Sequence, residues 1–309
     1  MLAVLGLTLA VAGVVVAADP LPAIQTITPQ KADQVTNIDV LRQQLKNYYG
    51  DPLAASGSAA TGGWTHPLVL DSNYAAEAEK VAADAEHWLA ARAHSQRPSG
   101  EKAIVLDVDD TTLTTWNYEL FSNWDYVFAT NAQFVGGNGG TFTGNLFPAT
   151  PGMVDLVKEA VDQGYAVFYI TGRGDSQHQQ TIANLVNDTA AGYADITTVT
   201  LNGATVPEID AGYPAPTALA IGHGGFTDGL FTKPPVGSYP AYLNKPEFCA
   251  AAITAGTSCP TIRYKSGTRA YIESLGYEIV ANFGDQFSDL EGGFADKTFK
   301  MPNPNYFLP

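Results

Sequence analysis

Charge is scarce in this chain, and positive charge is scarcer. Only 15% of the 309 residues are charged, and 16 Lys and Arg stand against 31 Asp and Glu, a formal net charge of -15. A nucleic-acid polymer is bound through a basic face that neutralises phosphates. This balance argues against such a partner and favours attraction of cations. Cysteine is almost missing too, with Cys249 and Cys259 the two present. Two thiols without matching histidines do not make a zinc site. Few charges do not mean little order here. Hydrophobic residues reach 45%, which is a globular composition. The length suits one large domain with insertions, or two ordinary ones.

One long hydrophobic run opens the chain. No charged residue occurs from Leu2 to Ala18, and small residues, Ala17 and Ala18, precede Asp19. The run reads as a signal peptide over residues 1–18, cut near Ala18. No Lys or Arg follows Met1, a departure from the usual basic start. The run is short for a membrane span, so a stable membrane anchor is not expected. Secretion, or export to a periplasm, follows as the expectation. In an exported protein the nearby pair Cys249 and Cys259 reads as a disulfide closing a short loop.

Residues 19–309 read as one domain with two interruptions. Residues 36–100 hold N-terminal helices. Thr36 is a plausible cap for "NIDVLRQQLKNYY", with Gly50 as its stop. The run from Asp71 or Ser72 carries Tyr74, Ala78, Val81, Ala85 and Leu89 at helical spacing. From Lys102 the pattern alternates. "AIVLDV", "YAVFYITGR", "DITTVTL" and "YEIVANFGD" read as strands. Helices lie between them: one capped by Thr150 with Pro151 first, one over "DSQHQQTIANLVNDTAAG", and one opened by Ser266 and closed by Gly276. Such alternation predicts an α/β fold, a doubly wound parallel sheet with helices on both faces. Residues 116–149 read as a small inserted cap, and 202–261 as a long Gly/Pro-rich insertion.

Ligands of an open parallel sheet bind at the carboxyl ends of its strands. Three strands here end in polar clusters: Asp107-Val108-Asp109-Asp110-Thr111, Thr171-Gly172-Arg173, and Gly284-Asp285-Gln286-Phe287-Ser288-Asp289. Tyr264-Lys265-Ser266 opens a helix nearby. Asp107, Asp109, Asp285 and Asp289 cannot share a small pocket while ionised and unpaired. A hard divalent cation removes that difficulty, and Mg²⁺ suits carboxylates together with a phosphate oxygen.

"DVDDTTL", "ITGR", "YKSGTR" and "GDQFSDL", in that order, resemble the four motifs of the haloacid dehalogenase (HAD) superfamily. More narrowly they are similar to its secreted acid phosphatase branch, class B/C-like and of subfamily IIIB. The closing "TFKMPNPNYF" is similar to that branch's C-terminal signature. The resemblance implies a HAD-like fold and a Mg²⁺-dependent acid phosphatase acting on small phosphate monoesters. It implies Asp107 as nucleophile, forming an aspartyl-phosphate, and Asp109 as general acid and then base. Thr171, Gly172, Arg173 and Lys265 would bind substrate, with Thr171 and Lys265 also serving the chemistry. Asp107, the Asp109 carbonyl, Asp285 and Asp289 would hold the metal.

Other readings stand beside this one. A non-catalytic storage or binding protein on the same fold would lose Asp107, which this chain keeps. A phosphotransferase would pass the same phosphoryl group to an alcohol. His178 and His223 are read as loop histidines, since no R-H-G-x-R-x-P-type cluster surrounds either. The aromatics from Trp116 to Phe128 are read as cap packing rather than a stacking wall for the leaving group. Asp110 receives no chemical role.

Overall fold

The structure is a computed structural model, describing residues 28–51, 66, 68–93, 100–135, 147–186, 198–201, 204–207 and 211–308. The expected signal peptide lies outside the described residues. In chain order the elements begin with α1 (Ile38–Tyr49), α2 (Asn73–Ala93) and β1 (Glu101–Leu106). Two short helices follow, α3 (Trp116–Ser122) and α4 (Phe128–Val135), then α5 (Met153–Asp162), β2 (Ala166–Gly174) and α6 (His178–Leu185). Next are β3 (Thr198–Leu201), β4 (Ala204–Pro207), β5 (Leu230–Lys233) and α7 (Ala250–Ala255). The chain closes with α8 (Thr261–Ser274), β6 (Tyr277–Gly284), α9 (Phe287–Leu290) and β7 (Thr298–Lys300).

Five strands form a parallel sheet in the order β5-β2-β1-β6-β7. From Ala103 onward β1 is apolar and buried because both of its faces are covered. Ile104 and Leu106 share a core with Ala78, Ala82, Ala85 and Leu89 of α2 and with Met153, Leu156 and Val157 of α5. Ala103 and Val105 point the other way, into a core with Tyr264 and Ile272 of α8 and both cysteines. Cys249 and Cys259 are joined by a disulfide, ten residues apart. It ties α7 to the lead into α8. Among the described residues no helix is long and apolar enough to cross a membrane.

The N-terminal helices follow the expected pattern with small shifts. Asn37 caps α1 in place of Thr36, its Oδ1 accepting from Asp39 N at 2.9 Å and Val40 N at 3.3 Å. Gly50 ends that helix at φ 65°. Ser72 Oγ accepts from Ala75 N at 3.1 Å and starts α2. α5 begins at Met153 rather than Pro151, because Gly152 turns the chain with φ 79°. A Cβ at Gly152 would come within 2.9 Å of the Ala82 Cβ, so this glycine lets α5 approach α2.

Two expectations fail. "DITTVTL" does not add a strand to the parallel sheet. Its β3 pairs antiparallel with β4 in a separate two-stranded ladder. β5, from inside the 202–261 insertion, takes the expected place beside β2. Strand periodicity cannot name a partner, and "LFTK" is too short to show a period. The helix before β6 starts at Thr261, after Pro260, and not at Ser266. Ser266 Oγ donates to Arg263 O at 3.4 Å instead of capping. Lys265 is therefore inside a helix rather than at its opening.

The first interruption holds α3 and α4. Trp116 lies flat on Tyr49, ring centroids 4.1 Å apart, and Tyr49 stacks on Tyr74 at 4.4 Å. These aromatics bind α3 to the N-terminal helices.

Candidate active site

The carboxyl ends of β1, β2 and β6 lie side by side, with Leu106 level with Tyr169 and Phe283. Asp107 N donates to Phe283 O at 3.0 Å, so the ladder continues to this residue. The same rim carries Thr171 two residues past Tyr169 and Asp285 two past Phe283. α8, packed on the Ala103 and Val105 face of the sheet, delivers Lys265.

Asp107, Asp285 and Asp289 each turn an oxygen into a common space, all three atoms within 4.8 Å of one another. All are buried, at 7%, 2% and 3% exposure. Asp289 comes this close because Gly284 has no side chain. A Cβ there would lie 2.2 Å from the Asp289 Cβ. Lys265 Nζ donates to Asp107 Oδ1 and, at 2.6 Å, to Asp289 Oδ1. Asp289 also accepts from Gln286 N at 2.8 Å. Asp285 is held by Thr111 Oγ1 at 3.2 Å, Gln286 Nε2 at 2.6 Å and Asn303 Nδ2 at 2.7 Å.

The electrostatics of this cluster favour a cation. Burial raises the Asp107 carboxyl well above the usual range; Lys265 opposes the rise, while Asp289 and Asp285 add to it. Burial, then the charges of Asp289 and Asp110, push Asp285 up to about 7, against the pull of Asn303 and Gln286. Burial alone would pull Lys265 down, but Asp107 and Asp289 outweigh it and raise it. Three carboxyl groups share one ammonium in an all-oxygen donor set, and two of the three are raised by burial and by one another's charge. That donor set fits a hard divalent cation.

Asp109 stands apart from the cluster. Its Oδ1 accepts from Arg173 Nη2 at 2.6 Å and Nε at 3.2 Å, and its Oδ2 from Nε at 3.0 Å. The other edge of the Arg173 guanidinium donates through Nη1 to Asn184 Oδ1 at 2.8 Å and Thr181 Oγ1 at 3.3 Å. Arg173 is thus a buried partner of Asp109. Thr171 is buried, and its Oγ1 accepts from Arg173 N at 3.1 Å. Gly172 is exposed, with nothing within 4 Å of where a Cβ would stand.

Asp110 has a structural task that the sequence reading left blank. It adopts φ 51°, a left-handed conformation that Asp tolerates better than most residues. Its Oδ1 accepts from Thr115 N at 3.0 Å and its Oδ2 from Thr115 Oγ1 at 2.5 Å. These bonds fasten the loop after β1 to the start of α3. Burial pushes its carboxyl up to about 6, and bonds from Thr115 and Tyr306 restrain the rise.

The C-terminal tail takes part as well. Beyond Asn303 on Asp285, Asn305 Nδ2 donates to Tyr49 OH at 2.9 Å and Asn305 Oδ1 accepts from Trp124 Nε1 at 3.2 Å. Arg269, fully buried on α8, donates to the carbonyls of Asp289, Glu291 and Gly293 and clamps the segment after β6. Asn184, Thr181, Asn303 and Arg269 were missed as site residues. The closing signature was the single signal that pointed to Asn303.

His178 and His223 belong to another cluster. Both are buried; His178 contacts Thr232 Oγ1 at 3.2 Å and Asp228 Oδ2 at 3.0 Å, and His223 contacts Asp228 O at 2.7 Å.

The family described as HAD superfamily, subfamily IIIB (Acid phosphatase) matches residues 67–208 and 252–309. Acid phosphatase 1 of Solanum lycopersicum is 24% identical over 241 residues, 78% of this chain and 71% of that protein. Vegetative storage protein 2 of Arabidopsis thaliana is 41% identical over 54 residues, 18% of this chain and 20% of that protein. The solved Class C acid phosphatase of Bacillus anthracis shares 17% identity at a TM-score of 0.44, over 77% of this chain and 80% of that one. The family match covers well over half of the chain and contains all four polar clusters. The chain belongs to subfamily IIIB of the HAD superfamily, the acid phosphatases, which are phosphoric monoester hydrolases.

Proposed function

We propose that this chain is an exported, Mg²⁺-dependent phosphomonoesterase that works through an aspartyl-phosphate on Asp107. One observation carries the reading. A buried lysine joins Asp107 to Asp289 across a three-carboxylate cluster, while Asp109 is held separately by Arg173. Nucleophile and proton carrier are thus kept in different hydrogen-bond systems.

Asp107, Asp285 and Asp289, with the Asp109 carbonyl, would hold Mg²⁺, which when bound supplies the positive charge that polarises the phosphoryl group. Lys265 orients Asp107 and offsets the repulsion between two anions. An Asp107 oxygen attacks phosphorus, forming a P–O bond as the bond to the ester oxygen breaks. The departing alkoxide takes a proton from Asp109. Asp109 Oδ1 accepts two guanidinium contacts and Oδ2 one, so Oδ2 is the oxygen with room to carry that proton. Asp109, now a carboxylate, takes a proton from water as that water attacks the phosphoaspartate; phosphate leaves and Asp107 is restored. The Thr171 hydroxyl would bind a phosphoryl oxygen from β2, while Arg173, its donors on Asp109, Asn184 and Thr181, would act through Asp109 rather than on the phosphoryl group.

The disulfide and the apolar N-terminal run support export, since disulfides persist in oxidising compartments. The test is hydrolysis of an aryl phosphate by wild type and Asp107→Asn, with chelator and with Mg²⁺. The expected result is turnover by wild type with Mg²⁺, fastest below neutral pH, loss with chelator, and none by a folded Asp107→Asn. Near-normal activity in the variant would refute the mechanism. An inactive wild type would favour the storage-protein reading, which the short match to the Arabidopsis protein motivates. Phosphate transfer to an added alcohol in place of release would identify a phosphotransferase.

A further inference from the structure

We propose that Asn184 is a positioning residue for the proton transfer at Asp109, acting through Arg173. Asn184 is 1% exposed and sits on α6, away from the carboxylate cluster. Its two polar atoms have different partners. Oδ1 accepts from Arg173 Nη1 at 2.8 Å, and Nδ2 donates to Val135 O, at the end of α4, at 3.1 Å. The amide orientation is fixed by these neighbours. A guanidinium can only donate and a carbonyl can only accept, so the reverse placement would break both bonds.

Arg173 divides its donors cleanly. Nε and Nη2 go to Asp109, while Nη1 goes to Asn184 and Thr181. Thr181 stands one helical turn before Asn184 on α6, and its own hydroxyl proton is committed to Gln177 O at 2.8 Å. Asn184 is thus the closer acceptor on the edge of the guanidinium opposite Asp109. A charge-assisted bond at this edge sets the plane of the fork, and the fork sets the Asp109 carboxyl. The same amide grips the end of α4. The first interruption of the core and the proton carrier therefore share one anchor, Asn184. Proton transfer depends steeply on such placement, and an error of about 1 Å can cost about a hundredfold.

This inference rests on the phosphomonoesterase reading above, and the experiment separates the two. kcat/KM is measured with Mg²⁺ for wild type, Asn184→Leu and Asn184→Asp on two esters. Phenyl phosphate has a poor leaving group that needs a proton; 2,4-dinitrophenyl phosphate has one that departs without it. General acid catalysis is worth about 10²–10⁴-fold, so Asn184→Leu should slow phenyl phosphate by about ten- to a hundredfold. The dinitrophenyl ester should change by less than about threefold. Asn184→Asp keeps the acceptor for Arg173 and should recover most of the loss on phenyl phosphate. If Asn184→Leu does not fold, Asn184→Ser, too short to reach the guanidinium, carries the same expectation. Equal losses on both esters, or no loss on phenyl phosphate, would overturn the positioning role while the phosphatase reading stands. A wild type inactive on both esters would overturn both.

Discussion

Glu119 offers a measurable consequence of burying an acid of α3 beside the acidic loop that follows β1. It lies on α3, is 7% exposed, and is pushed from 4.5 up to about 8 by burial, then by the charges of Asp110 and Asp109. The folded chain therefore holds this proton more tightly than the unfolded chain does. Stability is full below the unfolded value of 4.5 and falls as pH rises toward about 8. At pH 7 folding must protonate a group that is ionised when unfolded, at a cost of about 3 kcal/mol. At pH 5 the same cost is about 1 kcal/mol. Glu119→Gln keeps the shape, is neutral at every pH and removes the penalty. The variant should be more stable than wild type by about 3 kcal/mol at pH 7 and about 1 kcal/mol at pH 5. Urea titrations at the two pH values read this directly, the pH 7 midpoint moving up by about 1 M. A difference between the two proteins that is the same at both pH values, or a variant less stable at pH 7, would refute the reasoning.

Further outcomes follow from the site. Asp110→Ala loses both bonds to Thr115 and places alanine at φ 51°, so urea unfolding should show a loss of about 3 kcal/mol, with Asp110→Asn losing clearly less. Lys265→Met removes the cation from between Asp107 and Asp289. In chelator at pH 7 it should lose about 3–5 kcal/mol in urea unfolding, because the partners stay buried and uncompensated. Asp107 and Asp285 are already raised in the folded chain, so the deficit should shrink as pH falls toward 5 and these groups take up protons.

The parts of this molecule legible in the sequence are those with a local signature. β1 announces itself by an apolar run ending in aspartates, and α2 by Tyr74, Ala78, Ala85 and Leu89 on one face. The Cys249–Cys259 bond was readable from spacing and number. Motif order placed Asp107, Asp285, Asp289 and Lys265 together, and the structure brings them within reach of one another. What escaped is what depends on distant partners. β5 has four residues and gains its place through the end of β2, not through its own pattern. Asn184 has no local feature that separates it from any amide on an amphipathic helix; its meaning comes from an arginine on another element. Asp110 was passed over because its work is a turn, done by its backbone conformation and two short-range bonds.

The tail that ends in Asn303 and Asn305 bears on how the protein is made. Lys265 reaches Asp107 across 158 positions, and Asn305 reaches Tyr49 across 256. A growing chain reads out Asp107 long before either Lys265 or Asn303 exists. Contacts this distant in sequence close late and slowly. Until residue 265 is made, a growing chain carries Asp107 without its lysine, and until residue 303 is made it carries Asp285 without the Asn303 donor.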